Sequence, residues 1–319
     1  MSTDDITNDL TRRTENAPQE LLTRAFFFFC AVLSIVTTVA IILLLTTEAA
    51  KFFDVTASLL DVEGQTVAAI DFFTGTTWQT STGDFGVLAL VTATLQIVIG
   101  SAVIAIPLGV ATAIYLSEYA SADLRSKLKP ALEILAGVPT VVYGFFALIY
   151  ITPALERVFP DIGFFNMASA SIVVGIMIIP MVASISEDAM SAVPDELREA
   201  GYGMGATKFD VSTGIVVPAS ISGVFSSFIL ALSRAIGETM AVTVAAGSQA
   251  NFLNPLNPAS YLDSAMPMTA AMVQLLTGDV TGGGLAYRSL FAIGITLFAI
   301  TLTMNVISDA VAARYREEY

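Results

Sequence analysis

An all-α, polytopic membrane protein with about six transmembrane helices is what this sequence predicts, and three observations predict it. Of its 319 residues, 55% are hydrophobic and only 13% charged, with a mean hydropathy of +0.75. So few charges cannot cover a soluble domain of that size, so the bilayer is the solvent. Apolar runs long enough to cross a hydrocarbon layer of about 30 Å recur along the chain between polar segments. Their flanking charges are biased: with both ends inside, ten basic residues (Arg12, Arg13, Arg24, Arg125, Lys127, Lys129, Arg198, Lys208, Arg314 and Arg316) are cytosolic, against three outside (Lys51, Arg157 and Arg288). That is the direction the positive-inside rule requires. The fourteenth, Arg234, falls inside a span.

Composition also narrows the chemistry. There is no histidine and a single cysteine, Cys30, so imidazole base catalysis, disulfides and a thiolate metal site are all out of reach. No metal and no cofactor is expected, and a membrane enzyme is disfavoured. The formal charge of −14 and pI near 4.2 argue against nucleic-acid binding by their sign. Such an acidic surface stays hydrated where salt screens repulsion, which suggests a halophilic source.

In chain order, residues 1–24 are polar and read as a cytosolic tail, too long and too acidic for the start of a cleavable signal peptide. Residues 25–47 are the first span, with the Phe26 to Phe29 run as a lipid-facing or interfacial belt. Residues 48–85 carry Glu48, Asp54, Asp61, Glu63, Asp71 and Asp84 and are expected to form an ordered external loop. The second span, 86–116, exceeds a perpendicular crossing, so it tilts or bends near Pro107. Residues 117–129 are a short cytosolic loop. Spans follow at 130–155, 168–186, 218–246 and 285–312, with an external loop at 247–284 and a cytosolic tail at 313–319. The membrane core is thus 86–312.

The long polar interruption, residues 187–218, organises the rest. Pro194 with Asp195 and Glu196 opens a helix. Gly205 can take the positive φ that closes it, and Thr207 with Asp210 forms a capping box that starts another. Composition alone also fits an ordinary solvated loop. Within this segment, however, Glu199-Ala200-Gly201, then Gly205, then Ile215 and Pro218 resemble the EAA signature of ABC-importer permeases, departing at Gly201 and Val217. The resemblance implies a type I importer permease (MetI-like) fold, with 187–218 gripping separate ATPase subunits through Glu199, Ala200, Gly201, Gly205, Ile215 and Pro218.

The second site is a charged pair in the fifth span. If that helix begins at Pro218, Arg234 lies sixteen residues in, about 24 Å of rise, with Glu238 one turn further on the same face. An isolated arginine there costs at least about 2.5–3.5 kcal/mol. Either the pair locks helices together, or the guanidinium receives an oxyanion, which it can fork onto through two oxygens, with Glu238 tethering it between passages. The run RAIGETMAVT at 234–243 resembles the equivalent segment of PstC-type phosphate-importer permeases. So does LAGVPTVVYG at 135–144, with Thr140 for the usual Ser. Together the motifs extend the resemblance from about residue 86 to the C-terminus. It implies that Arg234 and Glu238 serve phosphate passage, and that the partners are ATPase subunits, a PstA-type second permease subunit and an external phosphate-binding protein.

Gly137, Pro139 and Gly144 should interrupt the third helix, a feature tolerated where neighbours satisfy the freed backbone. Packing at that kink competes with pathway lining, for which Tyr143 is the candidate. Gln96, Ser233, Thr239 and Thr243 are expected to bond neighbouring helices. A permease for another oxyanion, the PstA-type partner and a self-contained secondary transporter are the alternatives. The last leaves the EAA match unexplained.

Overall fold

Helices supply almost all the regular structure in the computed structural model, which describes residues 18–53, 67–278 and 284–314. Most of the 1–24 tail, the middle of the 48–85 segment, residues 279–283 and the end of the 313–319 tail lie outside the described residues. Among the described residues, four unbroken helices are long and apolar enough to cross a membrane, and counting each of two bent pairs as one span brings the number to six. This is a multi-pass membrane protein.

Helix α1, Pro18–Phe52, overshoots the expected span at both ends. The Phe26 to Phe29 side chains stand exposed on it, as an apolar face does when its solvent is lipid. Its last turn is different. Phe52 is fully buried and meets Phe72 and Phe85 edge to face, with ring centroids 5.6 and 5.4 Å apart. Phe72 comes from α2, Ala69–Thr74. Phe85 comes from β2, Asp84–Phe85, which pairs antiparallel with β1, Trp78–Gln79. The described part of 48–85 is therefore ordered as expected, with a two-residue hairpin that a purely helical reading omits.

Helix α3, Leu88–Ile114, runs on through a π-helical turn, Tyr115–Tyr119, and passes Pro107 without a break. It pairs along its length with α6, Met167–Ser191. Their approach depends on small residues: a Cβ on Gly109 would lie 2.6 Å from the Val182 Cβ. The residues expected to form a loop at 117–129 are mostly helical. Helix α4, Ala122–Ala136, is capped by Ser121, whose hydroxyl accepts from the Leu124 amide at 3.3 Å. The span at 130–155 is interrupted at Gly137 and Pro139 as expected, while Gly144 stays within a helix. Helix α5, Thr140–Phe146, continues through a π turn, Ala147–Ile151, to Thr152–Glu156, and this stretch meets α4 at 86°.

The fifth span is also not straight. After α7, Asp195–Gly203, and α8, Lys208–Val211, a π turn leads to Val217–Ala219. The chain then bends by 70° into α9, Ile221–Ile236. Pro218 withholds an amide from the turn before the bend, and the Ser220 hydroxyl bonds back to the Val216 carbonyl at 2.8 Å. Helix α9 stops at Gly237, and α10, Met240–Ala245, follows. The segment expected as an external loop, 247–284, holds a further buried helix, α11, Met268–Thr277. Its ten residues are too few to read as a membrane span. Helix α12, Leu285–Arg314, closes the described chain.

Candidate functional site

The two segments that interrupt their helices pack on each other. In the first, Gly137 ends α4 with its amide on the Glu133 and Ile134 carbonyls, both at 3.1 Å. Pro139 forces Val138 out of the helical region and begins α5. Tyr143 is buried and its hydroxyl donates to the Leu135 carbonyl at 2.8 Å, bridging the break. In the second, Gly237 ends α9, and the freed groups find other partners. The Thr269 hydroxyl on α11 donates to the Glu238 carbonyl at 2.7 Å, and the Glu238 carboxylate accepts the Ala241 amide at 3.2 Å. Gly144 seats the two together: a Cβ there would lie 2.8 Å from the Val244 Cβ and 3.1 Å from the Ala241 carbonyl.

Arg234 and Glu238 are not on one helical face. Helix α9 ends between them, and the depth counted from Pro218 shrinks, because the straight segment begins at Ile221. Arg234 is thirteen residues beyond that point, about 20 Å along the axis. Glu238 is buried, 7% exposed, and turned into a cap on α10. Arg234 is exposed, and among the described residues no carboxylate forms an ion pair with it. It lies within electrostatic reach of the Tyr143 phenol. The tether expected between Arg234 and Glu238 is therefore not made in this structure. Close by, the Ser233 hydroxyl donates to the Asn305 amide oxygen on α12 at 2.8 Å. Gln96 likewise reaches another segment, with its amide 3.0 Å from the Ser260 hydroxyl. Thr239 and Thr243 instead bond local carbonyls.

The 187–218 segment is a helix, a turn and a second helix. Pro194 precedes α7 with Asp195 and Glu196 in its first turn. Gly205 has φ +86°, a conformation that glycine adopts without Cβ strain. Thr207 and Asp210 cap α8 reciprocally, the carboxylate accepting the Thr207 amide at 3.0 Å and the hydroxyl the Asp210 amide at 3.3 Å. Those bonds from Thr207 hold the Asp210 carboxyl below its ordinary pKa. Gly201 is the packed position. A Cβ there would lie 2.6 Å from Ile215 Cδ1, so α7 closes onto the α8 side without room for a side chain. Glu199, Ala200, Gly205 and Pro218 are exposed and Ile215 half-buried. Around them three large apolar side chains face outward: Tyr202, Met204 and Phe209.

Helix α6 runs on into the start of that segment. Glu187 belongs to α6, and its side chain is completely buried. Arg125 on α4 pairs with one of its oxygens, the Ser191 hydroxyl donates to the same oxygen at 3.0 Å, and Lys129 meets the other at 2.8 Å. A second buried carboxylate, Glu118 on the π turn after α3, is held by Arg198 of α7 at 3.2 Å. Arg198 also donates to the carbonyls of Met190 at 2.8 Å and Val193 at 2.5 Å. Sequence offered one signal for these groups: carboxylates adjoining apolar runs, with lysines and arginines about sixty to eighty residues away.

Comparison with known proteins agrees with this architecture. Residues 105–317 match the family described as "Binding-protein-dependent transport system inner membrane component". The "Probable ABC transporter permease protein YqgH" of Bacillus subtilis is 31% identical over 250 residues, covering 78% of this chain and 79% of that one. The "Phosphate transport system permease protein PstC" of Mesorhizobium japonicum is 32% identical over 256 residues, covering 74% and 76%. Among solved structures, a bacterial ABC transporter involved in the import of the acidic polysaccharide alginate superposes with a TM-score of 0.63. It shares 13% identity over 96% of this chain and 100% of that one. The inward-facing MetNI methionine ABC transporter gives a TM-score of 0.52 at 15% identity, over 72% and 94%. Both share the fold.

Proposed function

This chain belongs to the binding-protein-dependent transport system inner membrane components, in the group of PstC-type permeases, and from that premise we propose that it is the transmembrane permease subunit of an ATP-driven inorganic phosphate importer. The observation that carries the anion reading is Arg234. It is a guanidinium about 20 Å along an apolar helix, exposed, with no carboxylate paired to it among the described residues. Left against lipid it would be costly. Facing a water-filled pathway shared with a second permease subunit of the PstA type, it is a fixed cation that can fork onto two phosphate oxygens. Glu238, folded back onto α10, keeps the break in shape beside it and sets a negative limit on how tightly an anion is retained. Tyr143 supports the pathway from behind by bridging the neighbouring break.

Hydrolysis belongs to a separate pair of ATPase subunits. They would grip the knob made by Glu199, Ala200, Gly201, Gly205, Ile215 and Pro218, where Tyr202, Met204 and Phe209 offer apolar anchors. An external phosphate-binding protein would deliver the anion to the opposite end. The ten-to-three charge bias supports a topology with both termini in the cytoplasm.

Uptake into vesicles holding the assembled complex tests the reading. Labelled phosphate should enter only with ATP and the binding protein, and excess sulfate or molybdate should leave the rate unchanged. Competition by either would make this a permease for another oxyanion. Uptake driven by an ion gradient without ATP would make it a secondary transporter.

A further inference from the structure

Glu187 is a fully buried carboxylate used neither by the anion site nor by the outer surface of the knob. Neutralising it would take one cation, yet α4 supplies two, Arg125 and Lys129, and Lys129 also reaches Asp188 at 2.6 Å. An apolar residue at 187 would pack such a seam without the desolvation cost of a buried carboxylate. What the charges add is a directional grip between α4 and the last turns of α6. Three residues further along the same helix, the Met190 carbonyl is held by Arg198, which at once holds Val193 and the buried Glu118 of α3. Arg198 sits beside Glu199 on α7 and faces inward, 14% exposed, while Glu199 faces out. At the other end of α4, Tyr143 ties the Leu135 carbonyl to α5 across the break. Helix α5 then rests through Gly144 on Ala241 and Val244, in the helix that Glu238 caps.

These contacts form one unbroken series from the knob to the break beside Arg234. We propose that the series is the path by which the knob's displacement reaches the pathway, with Arg198 and Glu187 as its positioning residues. Arg198 carries the movement of α7 into the ends of α3 and α6. Glu187 passes it to α4, and the last turn of α4 moves the two interrupted helices. The proposal rests on the importer reading, since it needs ATPase subunits on the knob.

The test uses the full complex in vesicles, with Cys30→Ser and Thr239→Cys as the reporter background. Labelling of residue 239 by a membrane-impermeant maleimide is timed with and without ATP, alongside ATP hydrolysis. In the reporter parent, ATP changes the labelling rate. In Glu187→Gln that change should shrink about tenfold, and in Arg198→Lys, which keeps the charge but loses the fork, about threefold, within the range such networks carry. Hydrolysis per assembled complex should persist in both. A purely structural staple would lower the yield of complex yet leave the ATP-dependent change intact, and that result overturns the proposal. If Glu187→Gln does not assemble, Arg198→Lys decides alone. Phosphate uptake by the parent vesicles is read separately: its absence beside an intact labelling change removes the phosphate reading and keeps the path.

Discussion

Arg234 and Glu187 are two charges set in apolar surroundings, and the fold treats them in opposite ways. Both carboxylate oxygens of Glu187 accept hydrogen bonds inside the chain, from Arg125, Lys129 and Ser191. Arg234 has no ion-pair partner among the described residues and stands exposed. A buried charge bonded within the chain serves shape and the transmission of movement. A charge left open within an apolar helix serves something that arrives from outside the chain. The sequence predicts the anion role of Arg234 together with a tether to Glu238; the structure turns Glu238 onto the Ala241 amide instead.

Removing the open charge should produce the largest effect. Arg234→Gln forfeits two charge-assisted hydrogen bonds to the anion, each contributing about 1.5 kcal/mol, so phosphate uptake should fall by about a hundredfold. Assembly should be unchanged, because among the described residues no carboxylate pairs with that guanidinium. Uptake at the parental rate would return Arg234 to a structural role.

On the knob, the expected effects are smaller. Gly201→Leu drives a side chain into Ile215 and Val211, an overpacking that costs about 1–3 kcal/mol. Protease sensitivity within 195–218 should rise, and transport per ATP should drop while Arg234 is untouched. If the variant transports normally, α7 and α8 need not be held together for coupling. Thr207→Ala should have the smallest effect, about 1 kcal/mol of local stability, as for other N-cap truncations. It carries a pH signature. The Asp210 carboxyl is held below its ordinary pKa by Thr207, so its contribution is present above the unfolded-state value and is lost as pH falls through the depressed one. Parent and Thr207→Ala should therefore converge in protease resistance only in the acid range below ordinary carboxylate pKa values. A constant gap between them at all pH values would show that the box contributes through the hydroxyl alone.

What was legible in the sequence follows the range of the interactions. The turn at Gly205 and the Thr207–Asp210 box are decided within four residues, and both formed as read. The interruption at Gly137 and Pro139 was equally local. The break at Gly237 was not legible, because the apolar pattern runs through it and Glu238 reads as an i+4 partner. What stabilises the break is a hydroxyl thirty-one residues away. The partners of Glu187 were equally out of range: its cations precede it by 58 and 62 residues. The π turn after Ile114 and the 86° bend at the end of α4 depend on packing partners that no local window contains.

The account stands on Arg234 facing water in a pathway, and cysteine accessibility tests this most directly. In a Cys30→Ser background, Arg234→Cys is treated with a membrane-impermeant thiol reagent in the assembled complex, with and without ATP. The expected result is labelling from water at a rate that ATP alters. A thiol that reacts only with a lipid-soluble reagent would place residue 234 against lipid and contradict it.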